Sequence, residues 1–347
     1  MGRMMENRLF ELIHDYLVIY LPKQCSASEN TIKSYKMILN QLLDYITVSK
    51  KISLKQITFE TVTRTVIADY LAWLSEKNGC CDSTCNQHLA GVRSFYSYAA
   101  SVEPIAVKYY NEVMKVPLRK IQKKIMVDHM TEEAVQAILN QPDQKKEKGI
   151  RDLFLMILLY DTGARIQEIL NSKIKDIQDG KSPQMLLLGK GNKLRVVPLM
   201  EKTIQHFYIY CSVFHPDETY NPQDLLFYTV RHGRKGKMSD DAVQKFMKKY
   251  AAEARKSCAA VPDNVYPHLW RHSRAMHLYQ HGMDLTLISQ WLGHSQLETT
   301  LIYAHADTEL KRQAIEKAMG NTEYKGYQAE RYQIDDEQLI KKLYGLK

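Results

Sequence analysis

Gln184-Met185-Leu186-Leu187-Leu188-Gly189-Lys190-Gly191-Asn192-Lys193-Leu194-Arg195-Val196-Val197-Pro198-Leu199 interrupts a chain that otherwise reads as helical. Two apolar runs flank a turn of glycine and asparagine, the pattern of a β-hairpin, because a tight turn needs residues that tolerate positive φ. Glycine on both sides of Lys190 permits close backbone approach to a ligand and leaves the ammonium at a projecting tip. Elsewhere apolar residues recur at three and four and β-branched runs are few, so the expected class is mainly α with a small β-sheet. The helical pattern is interrupted this once.

Working back toward the N-terminus, Leu9 to Tyr110 is helical in period. Phe10, Ile13, Tyr16 and Leu17 form one expected stripe; Tyr35, Ile38, Leu39, Leu42 and Tyr45 form a second, opened by Ser28-Glu29-Asn30-Thr31 as a capping region. Val62 to Leu74 predicts a third helix. Ser83 is the expected cap of a fourth, carrying Leu89, Val92, Phe95, Tyr96 and Tyr98. A bundle of four or five helices is the natural packing. No arm-like domain is expected before the Leu9 helix.

Between this half and Thr131, the N-cap of a second helical region, Lys115 to Lys124 holds five basic residues and no acidic one. Two readings stay open: a solvated linker, or a segment lying along a phosphate backbone. The expected domains are 1–113, a linker 114–128, a second domain 129–319 and a C-terminal extension 320–347. Beyond the hairpin, a basic helix is expected from Ser239 to Lys256.

Over 347 residues, 48 Lys and Arg against 39 Asp and Glu give a formal charge of +9, an excess that favours a polyanionic partner. The central apolar run, Leu153 to Tyr160, falls far short of the ~20 residues that span a bilayer, so no membrane segment is expected. The first residues lack an apolar leader core, and the expected compartment is the cytoplasm. Cys25, Cys80, Cys81, Cys85, Cys211 and Cys258 show no paired framework. Cys81, Cys85 and His88 share one helical face, but no fourth ligand lies at a usual spacing, so buried thiols are expected rather than a metal.

Four groupings carry possible chemistry. Arg165 follows Asp161-Thr162-Gly163-Ala164, where glycine breaks one helix and the arginine starts another; Glu168, one turn on, is a ready partner. An arginine so held presents a planar fork to phosphate oxygens. Lys190 occupies the hairpin tip, with Lys193 and Arg195 close by. In Tyr266-Pro267-His268-Leu269-Trp270-Arg271-His272, proline at a first helical position sets His268 and Arg271 on one face of a first turn, beside amides that favour an anion. Gly293 ends the helix Leu285 to Leu292 and precedes His294, and Tyr303 lies nine positions further, one tyrosine among 22. Each grouping alone has an ordinary alternative as surface charge or packing.

Their order is informative. Thr162-Gly163-Ala164-Arg165-Ile166-Gln167-Glu168, Gly189-Lys190-Gly191-Asn192-Lys193, His268-Leu269-Trp270-Arg271-His272-Ser273 and Leu292-Gly293-His294-Ser295 with Ile302-Tyr303-Ala304-His305 resemble the catalytic domain of the tyrosine recombinases, the phage integrase family, of the simple Xer-like two-domain type. The likeness spans about residues 130 to 310, and the helical N-terminal half resembles the family's SAM-like core-binding domain.

That resemblance implies a site-specific recombinase that cuts and rejoins DNA through a 3′-phosphotyrosyl intermediate and a Holliday junction, without metal, ATP or other cofactor. It implies that Arg165 and Arg271 hold the non-bridging oxygens of the scissile phosphate, and that His268 assists deprotonation of Tyr303 or binds phosphate. His294 then donates to the same phosphate, Lys190 protonates the departing 5′-oxygen, and Tyr303 is the nucleophile. The implied partner is double-stranded DNA with paired half-sites, bound by a homo-oligomer that is a tetramer in the synaptic complex.

Expected contacts outside the site are Lys33, Lys36, Asn86, Gln87 and Arg93 in the first half, Arg119, Lys120, Lys123 and Lys124 in the linker, and Lys193, Arg234, Lys235 and Lys245 in the second. Two other readings are a type IB topoisomerase with the same chemistry, and a DNA-binding accessory protein without catalysis. Trp270 before Arg271, a long Phe214–Lys237 segment and the extension past residue 320 depart from the family pattern. Helices are expected at Thr308 to Met319 and Asp335 to Leu343, the second with Leu339, Ile340 and Leu343 on one stripe, docked either on its own domain or on a neighbouring subunit.

Overall fold

Asn7 opens the first helix by accepting the Leu9 N–H on its side-chain oxygen at 3.1 Å, satisfying one of the donors a helix start leaves unpaired. The computed structural model describes residues 7–121, 128–189, 191, 193–216, 220–294 and 296–306, with Arg312 and Lys341 beyond them. Lys123, Lys124, Lys190 and, apart from Lys341, the C-terminal extension lie outside the described residues. The chain divides into two units, residues 1–123 and 124–347.

The first unit is built from α1 (Arg8–Asp15), which continues as a π-helical segment Tyr16–Gln24, then α2 (Glu29–Ser49), α3 (Arg64–Asn78), α4 (Asp82–Val102) and α5 (Ala106–Met114). Ser28 caps α2 by accepting the Thr31 N–H, and the α2 stripe faces the core as expected, with Ile38, Leu39, Leu42 and Tyr45 buried. On α1 the buried face is Leu9, Leu12 and Tyr16, while Phe10, Ile13 and Leu17 pack at its margin. Two apolar sets one residue apart both satisfy a helical period, and only packing selects between them.

The cap of α4 is Cys81 rather than Ser83. α3 ends on Gly79 at φ 62, leaving only Cys80 and Cys81 before the next helix must start. Cys85 is buried and His88 Nδ1 pairs with the Tyr70 hydroxyl at 2.8 Å, whereas Cys81 is exposed. Among the described residues no group of three or more His, Cys, Asp or Glu is placed to hold a metal ion.

The second unit runs α6 (Glu132–Leu139), α7 (Glu147–Thr162), α8 (Ile166–Asn171), β1 (Ile177–Gln178), β2 (Gln184–Leu188), β3 (Leu194–Pro198), α9 (Glu201–Phe214), β4 (Tyr228–Arg231), β5 (Arg234–Lys237), α10 (Asp240–Ala254), α11 (Pro267–Gln280), α12 (Leu285–Leu292) and α13 (Glu298–Ala306). Thr131 caps α6 by accepting the Ala134 N–H at 3.1 Å. α7 lies at the centre, with Leu153, Phe154, Leu155, Met156, Leu158 and Leu159 all buried, as a helix apolar around its circumference requires. Each such side chain contributes roughly 1.5–3 kcal/mol through burial.

β1, β2 and β3 form an antiparallel sheet in which Gln184 faces Pro198 and Leu188 faces Leu194, the hairpin read from the sequence. Helical structure is interrupted a second time, by the hairpin β4–β5. His232 and Gly233 at φ 49 and 73 supply its turn, which needs two residues at positive φ. Arg234-Lys235-Gly236-Lys237 is exposed along its length, so no alternation of apolar and polar residues announced it. No helix among the described residues is long and apolar enough to cross a membrane.

Candidate active site

α7 ends at Gly163, which at φ 57 turns the chain so that Arg165 becomes the extended N-cap of α8. Glu168 then reaches back: its Oε2 accepts the Arg165 backbone N–H at 2.9 Å and its Oε1 accepts Arg165 Nη1 at 2.9 Å. The same carboxylate accepts Arg195 Nη1 on Oε1 at 3.0 Å and Arg195 Nη2 on Oε2 at 2.6 Å. Burial alone would raise the Glu168 carboxyl, but Arg195 and then Arg165 outweigh it, and its pKa lies below the ordinary glutamate value.

Arg271 is buried one turn into α11, donating Nη1 to the Gly163 carbonyl and Nη2 to the Leu292 carbonyl, both at 2.7 Å. It thereby ties the end of α7 to the end of α12. Burial, followed by the nearby charges of Arg165 and Arg195, lowers its pKa to about 10, so it stays charged at neutral pH. Arg165 and Arg195 thus share one carboxylate with Arg271 nearby on backbone carbonyls, a local excess of positive charge suited to a phosphate.

His268 reaches solvent on the first turn of α11, and desolvation followed by the charges of Arg271 and Arg165 lowers its pKa. His294 follows the Gly293 C-cap at φ 64, and its Nδ1 lies 2.8 Å from Thr300 Oγ1. Burial, then Arg271 and Arg165, push it down to about 4. A cleft of about 420 Å³ is lined by Arg165, Lys193, Arg195, Gly293, His294 and Thr299 among others.

Tyr303 is 1% exposed on α13, and its hydroxyl lies 3.0 Å from Nδ1 of His272. The resemblance gave His268 either as an aid to deprotonation of Tyr303 or as a phosphate ligand; the ring facing the phenol is that of His272, one residue past Arg271, with the His268 ring 5.9 Å from it. His272 lies four residues beyond His268, one turn on and about 40° round the helix, so the two rings are neighbours on α11 and packing selects which of them meets the phenol. Burial, then His268 and Arg271, lower His272 to about 4, so the ring is neutral near pH 7, and in the tautomer protonated at Nε2 its Nδ1 is free to accept from the phenol. Burial raises Tyr303 to about 12, against the opposing charge of Arg271.

The expected residues Arg165, Arg271, His268 and His294 are thus brought to one locality with Tyr303, while Lys190 lies outside the described residues. Sequence reasoning missed Arg195 and His272. The first was visible only as one of three cations in the hairpin, and the second as a neighbour of a motif position.

The expected DNA contacts divide into two groups. Lys33, Lys36, Gln87, Lys120, Lys193, Arg234, Lys235 and Lys245 are exposed. Asn86, however, is engaged at both ends of its amide, donating to the Arg119 carbonyl and accepting the Arg119 N–H, each at 2.9 Å. Arg93 Nη2 donates to the Met114 and Val116 carbonyls. Arg119 itself pairs with Asp82 and donates to the Leu71 carbonyl. These three side chains fasten the segment after α5 onto α3 and α4, which occupies donors and acceptors that reading a base edge would need.

Residues 128–309 match the family model for the phage integrase family, and residues 14–103 match that for the phage integrase N-terminal SAM-like domain. The tyrosine recombinase XerD of Staphylococcus epidermidis is 30% identical over 294 residues, covering 85% of this chain and 93% of the relative. The tyrosine recombinase XerA of Pyrococcus horikoshii is 30% identical over 293 residues, covering 84% and 88%. In fold, the crystal structure of the XerH site-specific recombinase bound to difH substrate superposes with a TM-score of 0.58 at 22% identity, over 88% of this chain and 87% of that one.

Proposed function

The chain belongs to the phage integrase family, the tyrosine recombinases, which are DNA strand transferases, and on that premise we propose how its own residues carry the reaction. The observation that carries the reading is the meeting of Arg165, Arg271, His294 and Tyr303, contributed by α8, α11, the α12–α13 turn and α13, around a cleft with a surplus of guanidinium charge. Arg165 and Arg271 hold the non-bridging oxygens of the scissile phosphate, and His294 and His268 face the same group. Charge that grows on those oxygens in the pentacoordinate transition state is met by donors already in place.

The Tyr303 oxygen attacks phosphorus, the bond to the 5′-oxygen breaks, and Lys190 supplies that oxygen's proton. The product is a 3′-phosphotyrosyl link that conserves the phosphodiester energy. Attack by a 5′-hydroxyl from a second strand reverses the step and, repeated on the other strand pair, passes through a Holliday junction. At a pKa of about 12 the phenol is almost entirely protonated at neutral pH, so its activation depends on the positive cradle and on a histidine acceptor.

The partner in this reading is duplex DNA with paired half-sites, and the working species is a homo-oligomer, a tetramer in the synaptic complex, acting in the cytoplasm. The domains are 1–113, the linker 114–128, the catalytic domain 129–319 and the extension 320–347. Lys33, Lys36, Gln87 and Lys120 contact DNA from the first unit and Lys193, Arg234, Lys235 and Lys245 from the second, their exposure supporting that role. Lys123 and Lys124 extend the linker contact.

The test is a nicked suicide duplex that traps the covalent intermediate. Wild type yields a protein–DNA adduct; Tyr303→Phe binds the duplex and yields none. An adduct that persists in Tyr303→Phe overturns the assignment. Exchange between two sites on one plasmid, against simple loss of supercoils, separates recombination from topoisomerase activity.

A further inference from the structure

We propose that Arg195 is a positioning residue for strand cleavage, coupling the β2–β3 hairpin to both halves of the phosphate cradle; the inference rests on the reading above that Arg165 and His294 face the scissile phosphate. Arg195 stands on β3, and its side chain is 11% exposed. Its Nη1 and Nη2 grip both oxygens of Glu168, at 3.0 and 2.6 Å, while its Nε donates to the Trp291 carbonyl at 3.0 Å. Glu168 in turn orients Arg165 through the guanidinium and the backbone N–H. One planar fork therefore holds the partner of Arg165 on one side and the last turn of α12, just before Gly293 and His294, on the other.

The packing gives the same answer independently. A Cβ on Gly293 would meet Arg195 Cδ at 3.0 Å and Nη1 at 3.2 Å, and a Cβ on Gly189 would meet Glu168 Oε1 at 3.3 Å. Gly189 and Gly293 thus stand against this pair, and the stem of Arg195 forms the floor under the His294 turn. Arg195 acts through Glu168 and Trp291. Because β2 and β3 are paired from Gln184–Pro198 to Leu188–Leu194, this side chain links the hairpin to the groups that hold Arg165 and the His294 turn.

A lysine keeps the charge, but its single ammonium cannot make the two-pronged contact and the Trp291 bond together. On a nicked suicide substrate under single-turnover conditions, Arg195→Lys is expected to slow adduct formation by roughly 10- to 100-fold, as a displaced transition-state donor does. DNA affinity should stay within about threefold, since Arg195 contacts protein groups and the binding surface is largely phosphate contact elsewhere. In a double-mutant cycle, Arg165→Ala with Arg195→Lys should lose less than the product of the two single losses, because the share of the Arg195 effect that passes through Arg165 is already removed and only the share passing through the His294 turn is left.

Three results overturn the inference. The first is wild-type cleavage by Arg195→Lys. The second is rate losses that multiply in the double variant. The third is a loss of rate that follows the loss of DNA affinity or of folded protein, including a variant that melts below the assay temperature, since Arg195 would then be a residue of the fold. If Arg165→Ala and Tyr303→Phe themselves form adducts normally, the active-site reading fails instead; if both are inactive and Arg195→Lys is not slowed, only the Arg195 inference fails.

Discussion

Replacing Glu168 by glutamine tests the electrostatic design of the site most directly. The carboxylate is 5% exposed and accepts four hydrogen bonds: two on Oε1 from the guanidinium groups of Arg165 and Arg195, and two on Oε2 from Arg195 and the Arg165 backbone. An amide of the same shape must turn its NH₂ toward one of these pairs, so two contacts become donor against donor whichever way it flips. The other two lose their charge assistance. With each hydrogen bond to a charged group contributing about 1.5–3 kcal/mol, and solvent screening the Arg165 side, the expected loss is about 3–5 kcal/mol, the scale of breaking a buried pair. For a unit of this size each kcal/mol moves Tm by about 2–4 °C, giving a fall of roughly 6–20 °C.

Scanning calorimetry of the full chain reads this in the transition of the catalytic unit. The sign of the pH dependence follows from the same contacts. The folded pKa of Glu168 lies below its ordinary value of 4.5, so its contribution is complete above that value and is lost as pH falls through the folded pKa. Glu168→Gln should therefore be less stable near neutrality and flatter in Tm below pH 4.5 than wild type. A variant that melts within about 2 °C of wild type at neutral pH would refute the argument that one carboxylate stabilises this cluster.

Other consequences are open to measurement. His272 and His294, both lowered to about 4, bind protons more readily unfolded than folded, so the catalytic unit should lose stability between pH 6.5 and 4, by up to about 1.4 kcal/mol per pH unit for each. Thermal melts across that range should show the slope, and His272→Asn should reduce it; an unchanged slope would refute the assignment. Gly163→Ala places a Cβ at φ 57 and 3.0 Å from Leu292 Cδ2, and should cost about 1–3 kcal/mol, read as a lower Tm. Asn86→Ala removes both bonds to the Arg119 backbone, so limited trypsin digestion should cut faster after Arg119 and Lys120; an unchanged cleavage rate would show that the segment is held by other contacts.

Much of the architecture was legible because it is set locally. Ser28, Thr131 and Pro267 mark helix starts by their own chemistry, Gly163 and Gly293 mark ends by adopting left-handed backbone, and the glycines around Lys190 announce a turn between apolar strands. The second hairpin escaped because Arg234 to Lys237 buries nothing and so carries no pattern. Cys81 displaced Ser83 as a cap because the end of α3 dictated where the next helix had to begin.

Arg165, Arg271, His294 and Tyr303 could be nominated from the order of short motifs, since a family likeness resides in sequence. Their partners could not. Arg195 meets Glu168 across 27 residues and Trp291 across 96; His272 meets Tyr303 across 31; Asn86 meets Arg119 across 33. The sequence by itself determined that the chain is mainly helical, the starts and ends marked by Ser28, Thr131, Pro267, Gly163 and Gly293, and which residue types are offered to a phosphate. Only the tertiary structure decided that Arg195 is held by Glu168, that His272 rather than His268 faces the nucleophile, and that Asn86 fastens backbone. Helix caps and turns depend on neighbours in the chain, whereas hydrogen-bond partners of long polar side chains are chosen by whichever distant groups packing brings within about 3 Å.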